Sequence, residues 1–240
     1  MLELQQRNTF FLFNFDQPKK DQERFLDPEY WHACERISGS AQGRGTTWFI
    51  RSRDIFGCDC ALRHYYRGGF WAKFNKDLYL FSGSEGSRSF LEFRLLDQLY
   101  RAGVPVPRPI AAALTKNGFG CYRADILVEK IENARDLTAL LRRGEISAAG
   151  WRKIGALIRQ LHDLQICHTD LNAHNILVRQ NEKEENFWLI DFDKCARKKG
   201  QQWKKDNLQR LRRSFLKEVG RLAIRFQESH WQLLEEGYRG

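Results

Sequence analysis

His168-Thr-Asp170-Leu-Asn-Ala-His-Asn175-Ile-Leu-Val178 and, shortly after it, Trp188-Leu-Ile-Asp191-Phe-Asp193 decide how this 240-residue chain is read. A helical segment ending at Leu161-His162 precedes the first stretch, and the strand-like run Asn175-Ile-Leu-Val178 closes it. A polar hairpin-like segment, Asn181 to Glu185, then leads to the apolar run Phe187-Trp-Leu-Ile190, which ends on Asp191. Neighbouring elements therefore deliver two carboxylates and an amide together. A carboxylate can orient or deprotonate an attacking hydroxyl, and amide and carboxylate oxygens can hold Mg²⁺ on phosphates. Asp170 suits the first task, and Asn175 with Asp191 the second. The plainer reading has Asp170 and Asn175 capping turns while Asp191 opens a loop. It accounts for each residue singly but not for their joint arrival.

The two stretches resemble the catalytic and metal-binding loops of the protein-kinase-like superfamily, H-x-D-L-x-x-x-N and D-F-G, with Asp193 where the second motif ends in glycine. The resemblance implies an α+β, two-lobed fold. Its β-rich N-lobe spans 1–130 and its reduced, mainly helical C-lobe 131–240, with ATP and Mg²⁺ as cofactors. Upstream, Ile37-Ser-Gly39-Ser-Ala-Gln-Gly43-Arg-Gly45 reads as a glycine-rich turn before the strand Thr46-Thr-Trp-Phe-Ile50. Glycine lets backbone N–H groups approach phosphates closely, although an ordinary hairpin explains the segment too. Arg63, on the strand candidate Cys58–His64, stands where such proteins carry a phosphate-gripping Lys. Arg keeps the charge and adds bidentate geometry; Lys73 or Lys76 is the competing choice. A helix from around Ser87 to Arg101 carries Phe90, Phe93, Leu96, Leu99 and Tyr100 at helical spacing, with Gly103 as its stop. Glu92 on it is the implied partner of Arg63. Asp125–Ile131 reads as a buried strand and, by the resemblance, as the hinge whose backbone at Glu129 and Ile131 reads adenine.

Further on, Asp136 caps a short helix stopped by Gly144, and a longer helix follows Ser147 with Trp151, Ile154, Leu157, Ile158 and Leu161 on its apolar face. From Lys194 to Arg213 nine Lys or Arg residues face one acidic residue, Asp206. An amphipathic helix is expected from about Asn207, with Leu208, Leu211, Phe215, Val219, Leu222 and Phe226 inward. His162 and His168 read as structural residues, and Asp193 as either a loop residue or a metal assistant. The net charge of +10 and 31 aromatic residues imply a packed core and an anionic partner. No stretch approaches the ~20 apolar residues of a membrane span, and no secretory leader is evident. Six cysteines without a C-x-x-C pair fit a reduced compartment. Cys58-x-Cys60 reads as a strand alternation before a metal hairpin.

Only 49 residues follow Asp191, too few for the peptide-docking segment of a protein kinase, so the acceptor is expected to be a small molecule or a lipid-borne sugar. Leu62-Arg63-His64-Tyr65-Tyr66-Arg67-Gly68-Gly69-Phe70, with the two catalytic stretches, resembles the lipopolysaccharide kinase family over nearly the whole length. That resemblance implies transfer of the ATP γ-phosphate to the 4-hydroxyl of a Kdo (deoxy-manno-octulosonic acid) sugar on lipid A. The setting would be peripheral, on the anionic cytoplasmic face of a bacterial inner membrane. Phe70-Trp-Ala-Lys-Phe-Asn-Lys76 suits a headgroup region or a strand pair beside the site. The alternatives are a heptose kinase, a kinase-like protein that binds nucleotide without catalysis, and a nucleic-acid-binding module. The last leaves the two carboxylates and Asn175 unexplained.

Overall fold

The computed structural model describes the chain apart from residues 44, 68–75, 119, 182 and 183. Gly68, Gly69, Lys73 and most of the Phe70–Lys76 segment therefore lie outside the described residues. The chain divides into two compact units, one of Met1–Asp97 with Arg108–Lys130, the other of Gln98–Pro107 with Ile131–Gly240.

The first unit is built on one antiparallel sheet. In chain order its elements are β1 (Leu2–Gln6), β2 (Thr9–Phe13), α1 (Pro28–Ala33), β3 (Ile37–Gln42), β4 (Thr46–Ile50), α2 (Arg53–Phe56), β5 (Cys60–His64), β6 (Tyr79–Leu80), α3 (Arg88–Arg101, whose last turn from Gln98 counts with the second unit), β7 (Pro109–Asn117) and β8 (Cys121–Glu129). The strands run β1-β2-β7-β8-β5-β4-β3, with β6 also paired to β8. Phe13, Phe25, Trp31, Ile50, Leu62 and Leu127 form its core. The single helix expected here is α3, whose Phe90, Phe93, Leu96 and Leu99 are buried, whereas Tyr100 is exposed. Two short helices escaped the sequence reading. One of them, α1, has Pro28 at its start and the Asp27 side chain accepting from Glu29 N at 2.9 Å. Ile37–Gln42 is not part of a turn but a strand paired with β4, so the glycine turn narrows to Gly43–Gly45. Cys58 lies before β5, not within it.

The second unit contains β9 (Arg135–Asp136), α4 (Leu137–Leu141), α5 (Ala148–Asp163), β10 (Ile166–Cys167), β11 (Ile176–Gln180), β12 (Glu185–Leu189), β13 (Ala196–Arg197), α6 (Gln202–Leu222) and α7 (Glu228–Arg239). Asp136 and Ser147 cap α4 and α5 through bonds to Ala139 N at 3.0 Å and Gly150 N at 2.9 Å. The predicted face of α5 is buried, and Trp151 meets the rings of Phe215 and Phe226. Along α5 and α7 glycine permits backbone contact. A Cβ on Gly155 would lie 1.9 Å from Leu234 O, and one on Gly237 2.0 Å from Arg152 O. The amphipathic helix α6 starts earlier than the apolar spacing suggested and ends at Leu222, where Ala223 turns at φ 53°. Phe226 is therefore buried beyond the helix, and Val219 is exposed.

Candidate active site

The loop after β10 is held by short-range bonds that the sequence dictates. Asn172 Oδ1 accepts from His174 N at 2.9 Å and Asn175 N at 3.1 Å, making the tight turn Ala173–Asn175. The side-chain amides of Asn172 and Asn175 both donate to Asp170 O, at 3.0 and 2.9 Å. Because the Asn175 nitrogen is committed to a carbonyl, its Oδ1 is the end that can ligate a cation.

The β11–β12 hairpin brings the backbone that carries Asp191 beside that of Asn175. Ile176 pairs with Leu189, and Ile190 N donates to Asn175 O at 3.0 Å, so Asp191 follows one residue beyond this bond. Asp191 sits at φ 64°, a left-handed conformation that an L-residue with a Cβ adopts at a cost of roughly 1–2 kcal/mol. Buried Phe192 anchors the turn, its ring 4.9 Å from that of His168. Asp193 is tied in through its backbone, whose carbonyl accepts from Thr169 Oγ1 at 3.3 Å.

His168 joins the two stretches as a structural residue. Its Nε2 bonds Ile190 O at 3.0 Å, so the proton lies on Nε2, and burial pushes its pKa down. His162 has a larger role than the sequence suggested. It is buried, with Nδ1 2.8 Å from Tyr238 Oη and Nε2 3.1 Å from Asn207 Oδ1, and Asn207 Nδ2 donates to His168 O at 2.8 Å. Acceptor constraints fix the whole chain of bonds. The Tyr238 hydroxyl donates to His162, His162 donates to Asn207, and Asn207 donates to the catalytic loop. Burial lowers the His162 pKa to about 4 and keeps the ring neutral.

Asp170 pairs with Arg210, a contact that no local sequence signal marks. The guanidinium lies 2.8 Å from Asp170 Oδ1. Partial burial acts to raise the Asp170 pKa, but the hydrogen bond and charge of Arg210, with smaller help from Asn172 and His168, hold the carboxyl below its usual range. Asp170, Asn175 and Arg210 share a cavity of about 460 Å³ with further residues of α6. Among the described residues no group of three or more His, Cys, Asp or Glu could hold a metal. Mg²⁺ on a nucleotide needs only one or two protein oxygens, the rest coming from phosphate and water, and the side-chain oxygens of Asn175 and Asp191 are of the type and number for that.

In the first unit, the pair expected from the sequence is present. One Arg63 guanidinium nitrogen lies 2.6 and 2.8 Å from the two carboxylate oxygens of Glu92, which is buried. Tyr65 Oη donates to the same carboxylate at 2.5 Å, a contact missed in the sequence reading although Tyr65 belongs to the quoted arginine–tyrosine stretch. Tyr66 explains Gly45, because a Cβ there would stand 2.0 Å from its ring. Gly39 lies in β3 opposite Phe49, and Gly43 N is committed to Gly45 O at 2.9 Å. Glu129 ends β8, its N–H bonded to Arg108 O at 2.8 Å, and Ile131 begins the long segment of the second unit.

The lipopolysaccharide kinase (Kdo/WaaP) family matches residues 28–238. The chain is 60% identical over 239 residues to the 3-deoxy-D-manno-octulosonic acid kinase of Actinobacillus succinogenes, covering 100% of both. It is likewise 60% identical over 239 residues to the protein of that name from Mannheimia succiniciproducens, again covering 100% of both. The Haemophilus influenzae protein of that name (strain 86-028NP) is 59% identical over 99% of each chain. A solved structure described as WaaP in complex with acyl carrier protein superposes with a TM-score of 0.57 at 14% identity, covering 95% of this chain and 88% of that one, a likeness of fold. The α+β, kinase-like architecture and the paired loops agree with these matches: the chain is an ATP-using phosphotransferase and belongs to the lipopolysaccharide kinase (Kdo/WaaP) family.

Proposed function

We propose that this chain transfers the γ-phosphate of ATP to the 4-hydroxyl of a 3-deoxy-D-manno-octulosonic acid (Kdo) sugar on lipid A. One observation carries the chemistry: Asp170, Asn175 and Asp191 are locked to one another through Asp170 O, Asn175 O and Ile190, within a span of two bonded turns. Full-length relatives at about 60% identity carry the Kdo kinase name, which supports the acceptor. The 4-position follows from the resemblance seen in the sequence.

Asp170 orients the sugar hydroxyl and accepts its proton as the oxygen attacks phosphorus. Asn175 Oδ1 and Asp191 would hold Mg²⁺, which when bound neutralises charge on the phosphate oxygens. His168 and the Asn172 turn keep these groups in register and do not exchange protons. In the first unit, Arg63, steadied by Glu92 and Tyr65, binds phosphate oxygens. The glycine-rich stretch of Gly39, Gly43 and Gly45 covers the same phosphates, glycine allowing close backbone approach. Backbone groups at Glu129 and Ile131 read the adenine.

No helix among the described residues is long and apolar enough to cross a membrane. With a net charge of +10, the chain would concentrate at an anionic inner-membrane surface, where lipid A lies, as a peripheral protein. The test is incubation of purified protein with ATP, Mg²⁺ and Kdo-bearing lipid A, with the phosphorylated sugar identified by mass spectrometry. Phosphate on the Kdo 4-oxygen is expected. Transfer to a heptose-bearing core acceptor in preference to Kdo would favour the heptose kinase reading.

A further inference from the structure

Arg210, Arg213, Lys217 and Arg221 recur at intervals of three and four along α6, so they lie on one face. All four line the cavity that holds Asp170 and Asn175, and this cavity lies wholly within the second unit. Two of the cations are matched. Arg210 bonds Asp170 at 2.8 Å, and Arg221 Nε bonds the buried carboxylate of Glu218 at 2.8 Å. Arg213 and Lys217 have no ion-pair partner among the described residues. Four cations thus face two carboxylates around one concavity, leaving two positive charges beside the group that handles the acceptor hydroxyl. Cations on an open helix face are screened by water. In a concavity walled by protein they focus a field and hold an anion more tightly.

We propose that this cavity is the acceptor's anion subsite, in which Arg213 and Lys217 bind the carboxylate of a sugar acid while Arg210 bridges that anion to Asp170. This rests on the kinase reading above and deepens it by naming the residues that select a carboxylated sugar. The geometry suits the task. A guanidinium and an ammonium one helical turn apart can both reach one carboxylate, and a cavity of about 460 Å³ is of the size that accommodates a small-molecule ligand. A sugar held this way has its ring beside Asp170. A neutral sugar of the same shape would leave both cations without a partner.

The test separates binding from turnover. The full-length protein and its Arg213→Gln, Lys217→Gln and Arg213→Lys variants are titrated, without nucleotide, with the free octulosonic sugar acid and with its methyl ester. Lys205→Gln, an exposed cation on the same helix outside the cavity, serves as the control. Each Gln variant is expected to weaken binding of the acid about tenfold or more, with partial recovery in Arg213→Lys, while the ester binds all the proteins equally weakly. KM for the lipid-borne acceptor should rise in parallel and KM for ATP should not. Equal weakening of acid and ester, or the same loss in Lys205→Gln, would overturn the subsite. A parallel rise in KM for ATP would place nucleotide phosphate in the cavity and overturn it as well. So would a KM difference that vanishes when the phosphates of lipid A are removed, since the anion read would then be phosphate. A protein that binds the acid through Arg213 and Lys217 yet transfers no phosphate contradicts the kinase reading and leaves the subsite standing.

Discussion

At the scale of single residues, the Asp170–Arg210 pair sets the basicity of the proposed base. Burial alone would raise that carboxyl, and Arg210 is the largest influence lowering it. Replacing Arg210 with Gln should therefore raise the Asp170 pKa, so the acidic limb of the pH profile of kcat/KM moves to higher pH. An unmoved limb would detach that limb from Asp170. The Arg63–Glu92 pair makes a different prediction. Glu92 is buried, and without Arg63 its carboxylate loses the guanidinium nitrogen bonded to both of its oxygens, so Arg63→Ala should lose about 1.5–3 kcal/mol of stability in urea unfolding. Arg63→Lys keeps the charge and should lose much less. Of these two pairs, only the second was legible in the sequence. Arg63 and Glu92 sit on a strand and a helix with clear periodic signatures, so their roles were readable. Arg210 lies forty positions from Asp170 in a run of nine basic residues, and nothing local distinguishes it from its neighbours.

At the scale of elements, the contact of α5 with α7 depends on two glycines that face carbonyls of the opposing helix. Gly155→Ala or Gly237→Ala forces the helices apart, because backbone atoms cannot yield as a flexible side chain can. Each should destabilise the fold by more than about 3 kcal/mol, against the ~1 kcal/mol that alanine usually gains over glycine within a helix. Thermal unfolding of the two variants checks this, and a raised midpoint would contradict the packing. Helix starts were well marked in the sequence because Asp136 and Ser147 are capping residues followed by apolar periods. Strand β3 was not, because glycine and serine have little strand propensity of their own. Its pairing with Thr46–Phe49 decides the outcome. The inward face of α6 was legible at Leu208, Leu211 and Phe215 but not at Val219, which is exposed. Asn207 and Glu218 are the polar residues buried there, Asn207 through its bond to His168 O and Glu218 through its pair with Arg221.

For the molecule as a whole, the bonds running from Tyr238 through His162 and Asn207 to His168 make stability depend on pH. An unfolded histidine takes up a proton near pH 6.5, whereas folded His162 resists protonation down to about 4. Below pH 6.5 the unfolded chain binds the extra proton, so stability present above that value is lost as pH falls toward 4. His162 alone accounts for roughly 3 kcal/mol across this window, and buried His168 acts in the same direction. Urea midpoints should fall from pH 7 to pH 5 in the wild type and fall less in His162→Gln; equal slopes would remove His162 from the account. The α+β class was implied by the family resemblance that the two catalytic stretches carry, and a strand-rich first half followed by helices agrees with it. The cavity beside Asp170 was not, because it forms only once α6 lies against the catalytic loop. In the proposed mechanism Asp170 performs the chemistry while Asn175 and Asp191 serve the nucleotide's metal. Its most direct test is Asp170→Asn, assayed for phosphate transfer to Kdo-bearing lipid A alongside calorimetric ATP binding. Turnover should fall by about 10²–10⁴-fold with ATP affinity preserved. Transfer at the wild-type rate would contradict the account.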